Sequence, residues 1–247
     1  MTNISVELIP RDVDSLKADL ELTKKIAPTV SIINIPDLLR FDLRSYEAAG
    51  ISKAYFKTVI PHIRAIDIDV SKPLPMKDIL RKYDIRQILV IEGDPPQDMK
   101  HTVYPTVTTD IIAKFKQEMP EVKIYAGIDP YRRSFRRELY SIKRKINAGA
   151  SGFFTQPFFD LRLLEVFHDI MPETEIYWGI SPVLSTNSQN YWELKNNVIF
   201  PKGFTPSLEW SIDFARKVIE YSQKTDTSLY FMPITANIEE YLKGVLG

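Results

Sequence analysis

Apolar residues along the chain gather into eight short runs, separated by longer stretches in which polar and apolar positions mix. The runs read "SVELIP", "TVSIINIP", "KTVIPHI", "QILVIEGD", "VKIYAGID", "SGFFTQPFF", "EIYWGIS" and "SLYFMPIT". β-Branched and aromatic residues dominate them, as in strands, and several are apolar almost throughout, as strands buried on both faces must be. Between the runs, apolar positions recur at helical spacing over residues 13–26, 43–54, 76–83, 109–118, 134–148, 161–170, 208–223 and 238–245. Gly149, in "NAGA" after the fifth of these segments, suits a left-handed helix cap.

Eight strand–helix units in 247 residues match the arithmetic of a closed parallel barrel. An open doubly wound sheet alternates in the same way, but no G-x-G-x-x-G follows the first strand and no P-loop is present. The expected fold is therefore α/β, a (β/α)8 TIM barrel, with residues 1–247 forming a single domain. "FPKGFTPS", residues 200–207, reads as a loop in an extended connection between strands seven and eight, not as a domain boundary.

Composition narrows the chemistry. A 44% hydrophobic chain of this length can bury a sizeable core. Lys plus Arg and Asp plus Glu both number 32, so no net field draws the molecule to nucleic acid or to an anionic membrane, and a small-molecule partner is expected. The absence of cysteine excludes disulfides, thiolate zinc sites, cysteine nucleophiles and iron–sulfur ligation from this chain. Its three histidines stand far apart without H-E-x-x-H spacing, so no metal site is expected. The opening "MTNISVELIPRDVD" is charged where a secretory leader is apolar, and no run approaches the roughly 18 apolar residues of a membrane span. A soluble cytoplasmic protein is the expectation.

Barrel enzymes work at the C-terminal ends of their strands. Those ends supply Glu7 and Pro10, Asn34 and Pro36, His62 and Arg64, the triplet Glu92, Gly93 and Asp94, Gly127 and Asp129, Thr155 and Gln156, Ser181, and Pro233 with Thr235. Glu7 is flanked by apolar residues. Burial disfavours the anion, so this carboxyl suits a general acid, while a solvated edge-strand Glu or a Glu–Lys pair accounts for it equally well. "EGDPPQD", residues 92–98, places a permissive glycine before Asp94 at the barrel mouth, or makes an ordinary acidic turn. The run "YRRSFRRELYSIKRKINAG" is mostly a solvated helix face, from which a few cations can reach a diphosphate at the rim.

Five segments carry a resemblance. "SVELIP", "VIPHIRAID", "VIEGDPP", "SIKRKINAGASGFFTQPFFD" and "YWGISPV" resemble, in order and spacing, motifs of the methylenetetrahydrofolate reductase family. That resemblance implies a (β/α)8 barrel that binds FAD, takes hydride from NADH or NADPH and passes it to methylenetetrahydrofolate, giving the 5-methyl form. It implies that Glu7 is the acid and that Asp94 is a charge near flavin and pterin. Gln156 is implied to be the pterin-binding amide, buried at its strand end. His62, Gly93, Asp94, Ser141, Arg144, Lys145 and Ala150 fall on flavin-contacting positions, and Trp192 on a stacking aromatic. Gln189 lies one place from Ser188, which aligns with a second substrate-binding glutamine. The family also implies a homo-oligomer.

The departures are specific. Glu92 stands where the family carries arginine, adding negative charge close to the flavin. The strand-two threonine is replaced around Ile33 and Asn34, the strand-five tyrosine near Gly127, and the strand-eight aromatic by Met232 or Pro233. They bear on nicotinamide use and flavin affinity. Two further readings therefore remain: a flavin-free pterin-binding barrel of methyltransferase type, and a noncatalytic subunit of a redox complex whose partner protein carries the electron-transfer centre.

Overall fold

The computed structural model describes residues 2–96, 101–234 and 236–247. Thr235, and Gln97 and Asp98 of the acidic stretch after the fourth strand, lie outside the described residues. Eight parallel strands close in sequence order: β1 (Ile4–Glu7), β2 (Ile32–Ile35), β3 (Thr58–Arg64), β4 (Gln87–Ile91), β5 (Lys123–Ile128), β6 (Gly152–Pro157), β7 (Glu175–Ile180) and β8 (Ser228–Phe231). Closure is made by β8 pairing with β1, Ser5 opposite Tyr230 and Val6 opposite Phe231. Each run identified from hydrophobic pattern holds one strand of this (β/α)8 barrel.

Alternation of side chains divides the apolar residues into two layers. Inward-facing Ile32, Ile60, Leu89, Tyr125, Phe154, Tyr177, Tyr230 and Met232 fill the barrel. Phe154 stacks on Tyr177 at 4.1 Å, and the edges of Tyr125 and Tyr230 meet its ring at 5.1 Å. Rings of this size each stabilise the core by about 2–3 kcal/mol when buried. The outward set, including Val6, Ile33, Val90, Phe153 and Trp178, packs under the helices.

Nine helices occur among the described residues: α1 (Val13–Ile26), α2 (Ser45–Ser52), α3 (Lys77–Lys82), α4 (Thr108–Glu118), α5 (Phe135–Ala148), α6 (Leu161–Ile170), α7 (Thr186–Asn196), α8 (Leu208–Thr225) and α9 (Ile238–Leu246). Eight match the expected segments, α1 and α6 residue for residue. Helix α2 starts later than its apolar spacing predicts because Arg44 is extended and its N–H donates to the Glu47 carboxylate, closing the N-terminus. Helix α8 runs past Gln223 to a left-handed Asp226. Helix α7 is an addition in the β7–β8 connection, and Ala65–Asp67 form a short 3-10 turn after β3. Gly149 caps α5 with φ of 114°, as its place in "NAGA" suggests. Among the described residues no helix is long and apolar enough to cross a membrane.

Candidate active site

At the C-terminal ends of the strands the aromatic filling stops and a cavity of about 960 Å³ opens, within the range of about 300–1,000 Å³ usual for small-molecule sites. Of the site residues expected from sequence, Glu7, His62, Gly93, Asp94, Ser141, Arg144, Lys145, Gln156 and Trp192 line it. Ala150 and Gln189 do not. Ala150 sits in the turn between α5 and β6, at the foot of its strand, where its N–H donates to Lys145 O at 3.0 Å. Gln189 uses its amide on its own helix, donating to Glu193 at 3.0 Å.

Glu7 ends β1 with its side chain 9% exposed. Burial pushes its carboxyl up to about 7, against a smaller lowering by the Tyr230 hydroxyl, which donates to Oε2. Glu7 is therefore a buried carboxyl, neither on a solvated edge nor paired with a lysine among the described residues. His62 Nε2 stands 4.0 Å from the same oxygen, but burial pulls the imidazole down to about 3, so the neutral ring makes no ion pair. A chain of bonds fixes that ring. Asn34 Nδ2 donates to Ser5 Oγ at 2.5 Å, leaving Asn34 Oδ1 to accept from His62 Nε2 at 3.3 Å.

The turn after β4 is held open by Gly93, whose φ of 88° favours glycine, and where a Cβ would lie 3.1 Å from Ile66 and 3.2 Å from Arg64. Arg64 Nη2 donates to the Asp94 carbonyl at 2.6 Å while its Nε donates to Asp67 at 2.9 Å, tying the turn to β3. Glu92 does not present an uncompensated charge to the cavity. Arg132 and Arg133, from the β5–α5 loop, lie 3.6 and 3.9 Å from its carboxylate.

Helix α5 supplies the cationic wall. Arg136, Arg137 and Arg144 line the cavity without an ion-pair partner among the described residues, whereas Lys145 Nζ donates to Gly127 O at 2.8 Å and lies 3.8 Å from Glu138. Burial lowers the Lys145 ammonium and raises the Glu138 carboxyl, and their mutual attraction opposes both shifts.

Gln156 corrects the expectation of a buried amide: it is exposed, open to the cavity, on an otherwise buried strand. The cause is a register shift between Phe154 and Pro157 against β7. Thr155 Oγ1 fills the interrupted ladder by accepting from Gly179 N at 2.8 Å. The β6 backbone approaches so closely that a Cβ at Gly179 would lie 2.4 Å from Thr155 O. Trp192 is 6% exposed and packs on Phe159 at 5.5 Å, so its stacking surface is largely committed to the protein.

Two features escaped the sequence reading. Tyr230 was visible only as one aromatic in a strand, since its partner lies 223 positions away. Helix α7 brings Tyr191 and Asn196 to the rim, hidden in a polar segment with one buried anchor. For a flavin, the residues present fit: Leu89, Phe154 and Met232 give an apolar floor, and the α5 arginines give an adjacent wall suited to a diphosphate.

Closed barrel, acid-bearing cavity and cationic rim together define a TIM-barrel protein with a cavity of small-molecule size at the C-terminal ends of its strands. The chain belongs to the methylenetetrahydrofolate reductase family, whose model, described as Methylenetetrahydrofolate reductase, matches residues 14–221. It is 28% identical over 189 residues to the 5,10-methylenetetrahydrofolate reductase of Buchnera aphidicola from Acyrthosiphon pisum, covering 71% of this chain and 64% of that one. With the Escherichia coli K12 enzyme it shares 30% identity over 149 residues, 57% of this chain and 49% of the relative. The chain spans about half to two thirds of the length of these curated relatives. Among solved structures, an uncharacterised Clostridium thermocellum protein that binds two copies of 5-methyl-5,6,7,8-tetrahydrofolic acid superposes with a TM-score of 0.66. The two chains are 12% identical over 99% of this chain and 94% of that one. A 2,3-dimethylmalate lyase of the PEP mutase/isocitrate lyase superfamily gives 0.54 at 12% identity, covering 91% and 82%. These likenesses are of fold.

Proposed function

We propose that the protein is a flavin-dependent reductase of 5,10-methylenetetrahydrofolate or a related C1-pterin, forming the 5-methyl compound with electrons from NADH or NADPH. The observation that carries this reading is Glu7: a buried carboxyl with its midpoint raised to about 7, inside a cavity of cofactor size, in the "SVELIP" segment whose resemblance implies the family's acid. Bound FAD would supply hydride transfer. His62, Gly93, Ser141, Arg144 and Lys145 would hold it, the two cations serving its phosphates. With its midpoint at about 7, Glu7 keeps a proton in about half of the molecules at pH 7 and delivers it to the substrate nitrogen released as the methylene bridge opens. Asp94, exposed at the mouth, stabilises the cationic iminium form of the substrate. Gln156 turns its amide into the cavity, where it can exchange paired hydrogen bonds with the pterin edge.

In Glu7→Gln the charge-free shape is kept and the proton lost. Donor-driven flavin reduction should persist while pterin reduction falls by about 10²-fold or more. Undiminished pterin turnover would remove Glu7 from the reaction.

A second reading keeps the pterin and drops the flavin. It is favoured by the Clostridium neighbour's two bound methyltetrahydrofolates. Uptake of FAD with its visible absorbance supports the first reading, and a colourless protein that still binds methyltetrahydrofolate supports the second.

A further inference from the structure

We infer that Tyr230 is a positioning residue for the Glu7 acid: its hydroxyl occupies one carboxyl oxygen, aims the other at the cavity and steadies the carboxylate left after proton transfer. The inference rests on the proposed reductase reading for its catalytic meaning, but its geometry stands apart from that reading. Tyr230 ends the inward face of β8 beside β1, at the seam where the barrel closes, and is 3% exposed. Its O–H donates to Glu7 Oε2. Oε1 has no hydrogen-bond partner among the described residues, and Glu7 lines the cavity, so Oε1 is the oxygen free to meet a ligand.

Among the described residues no other group at the site can do this work. Among the described residues two titratable groups lie close to the Glu7 carboxyl, Tyr230 from β8 and His62 from β3. His62 directs its Nε2 proton to Asn34 and stays neutral through the physiological range, so it supplies neither a charge nor a donor to Glu7. When Glu7 gives up its proton, a buried carboxylate remains, and an unsatisfied anion in such a place is costly. The Tyr230 O–H is already aligned on it. The phenol itself does not ionise: burial and the adjoining carboxyl both hold its pKa well above the ordinary tyrosine value. It therefore donates a hydrogen bond throughout the cycle and never competes for the proton. Its ring is fixed by the edge contact with Phe154 at 5.1 Å, which sets the direction of the hydroxyl.

The test is a carboxyl titration by NMR on protein carrying ¹³C-labelled glutamate, wild type against Tyr230→Phe, without substrate. Loss of one hydrogen bond to a charged group should raise the Glu7 midpoint by about one to two pH units. The alkaline limb of pterin turnover, which requires protonated Glu7, should move upward by the same amount. A purely packing role for Tyr230 would leave both midpoints in place, and that result overturns the inference. If Tyr230→Phe does not fold, the wild type still decides the matter. The Tyr230 Cζ resonance should shift with a midpoint equal to that of Glu7 and lose that step in Glu7→Gln; a Cζ signal blind to Glu7 overturns the inference. A clear titration linkage with no pterin turnover at any pH would count against the reductase reading and leave the Tyr230–Glu7 assignment intact.

Discussion

One carboxyl among apolar neighbours decides most of the chemistry at the residue scale. Glu7 must be protonated to act as an acid, and burial sets its midpoint at about 7, so turnover should decline as pH rises through that value. A rate profile flat from pH 6 to about 9 would contradict the assignment. The sequence "SVELIP" exposed the oddity of Glu7 but left open whether the carboxyl was buried or solvated, because one strand cannot show what covers it. The seam with β8 answers that, and a contact across 223 positions leaves no local trace. Gly93 was legible for the opposite reason: a positive φ is a local demand that one residue type meets without strain. Gly93→Ala should destabilise the protein by about 1 kcal/mol or more in denaturant titration and loosen the Arg64–Asp94 contact. Equal stability would show that the turn relaxes without cost.

Elements differed in legibility according to how much apolar surface each buries. The eight strands and α1 and α6 announce themselves because their periodic apolar residues are buried, among them Leu16 and Leu20 in α1 and Leu164 and Phe167 in α6. Helix α7 buries Trp192 and little else, so its polar sequence resembles a loop. Gln156 shows the converse: a strand recognised correctly, with its amide read as buried because hydrophobic pattern does not reveal a bulge. The bulge depends on Gly179, where a methyl group would run into Thr155 O and Gln156 O at 2.4 and 2.8 Å. Gly179→Ala should cost about 2–3 kcal/mol of stability and weaken pterin binding, since backbone atoms cannot give way as a flexible side chain can. Wild-type stability in that variant would mean that β6 can shift without losing the site.

Across the whole molecule, the repeating strand–helix period made the barrel readable, and the barrel rule about strand ends then pointed to Glu7, His62, Gly93, Asp94 and Gln156, which line one cavity together with Ser141, Arg144, Lys145 and Trp192, four residues expected from the resemblance. Ala150 and Gln189, also expected from aligned position, fall outside it, because Ala150 precedes β6 at the opposite end of its strand and Gln189 bonds along its own helix. Burial of two titratable groups also makes global stability depend on pH, with opposite signs. Glu7 keeps its proton up to about 7 when folded and loses it near 4.5 when unfolded, so its contribution is present below pH 4.5 and lost as pH rises to 7. Folded His62 stays neutral down to about 3, so its contribution is present above pH 6.5 and lost on acidification. The two slopes offset each other between pH 4.5 and 6.5. Glu7→Gln removes one of them. Relative to that variant, wild type should lose about 3 kcal/mol between pH 4.5 and 7, and parallel curves would disprove the buried acid.

The joint presence of flavin, pterin and acid in one cavity is tested most directly by anaerobic titration of FAD-loaded protein with methyltetrahydrofolate, followed at the visible flavin band. The account predicts bleaching in wild type and none in Glu7→Gln at equal flavin occupancy. Protein that takes up no flavin, or a variant that bleaches as wild type does, would contradict it.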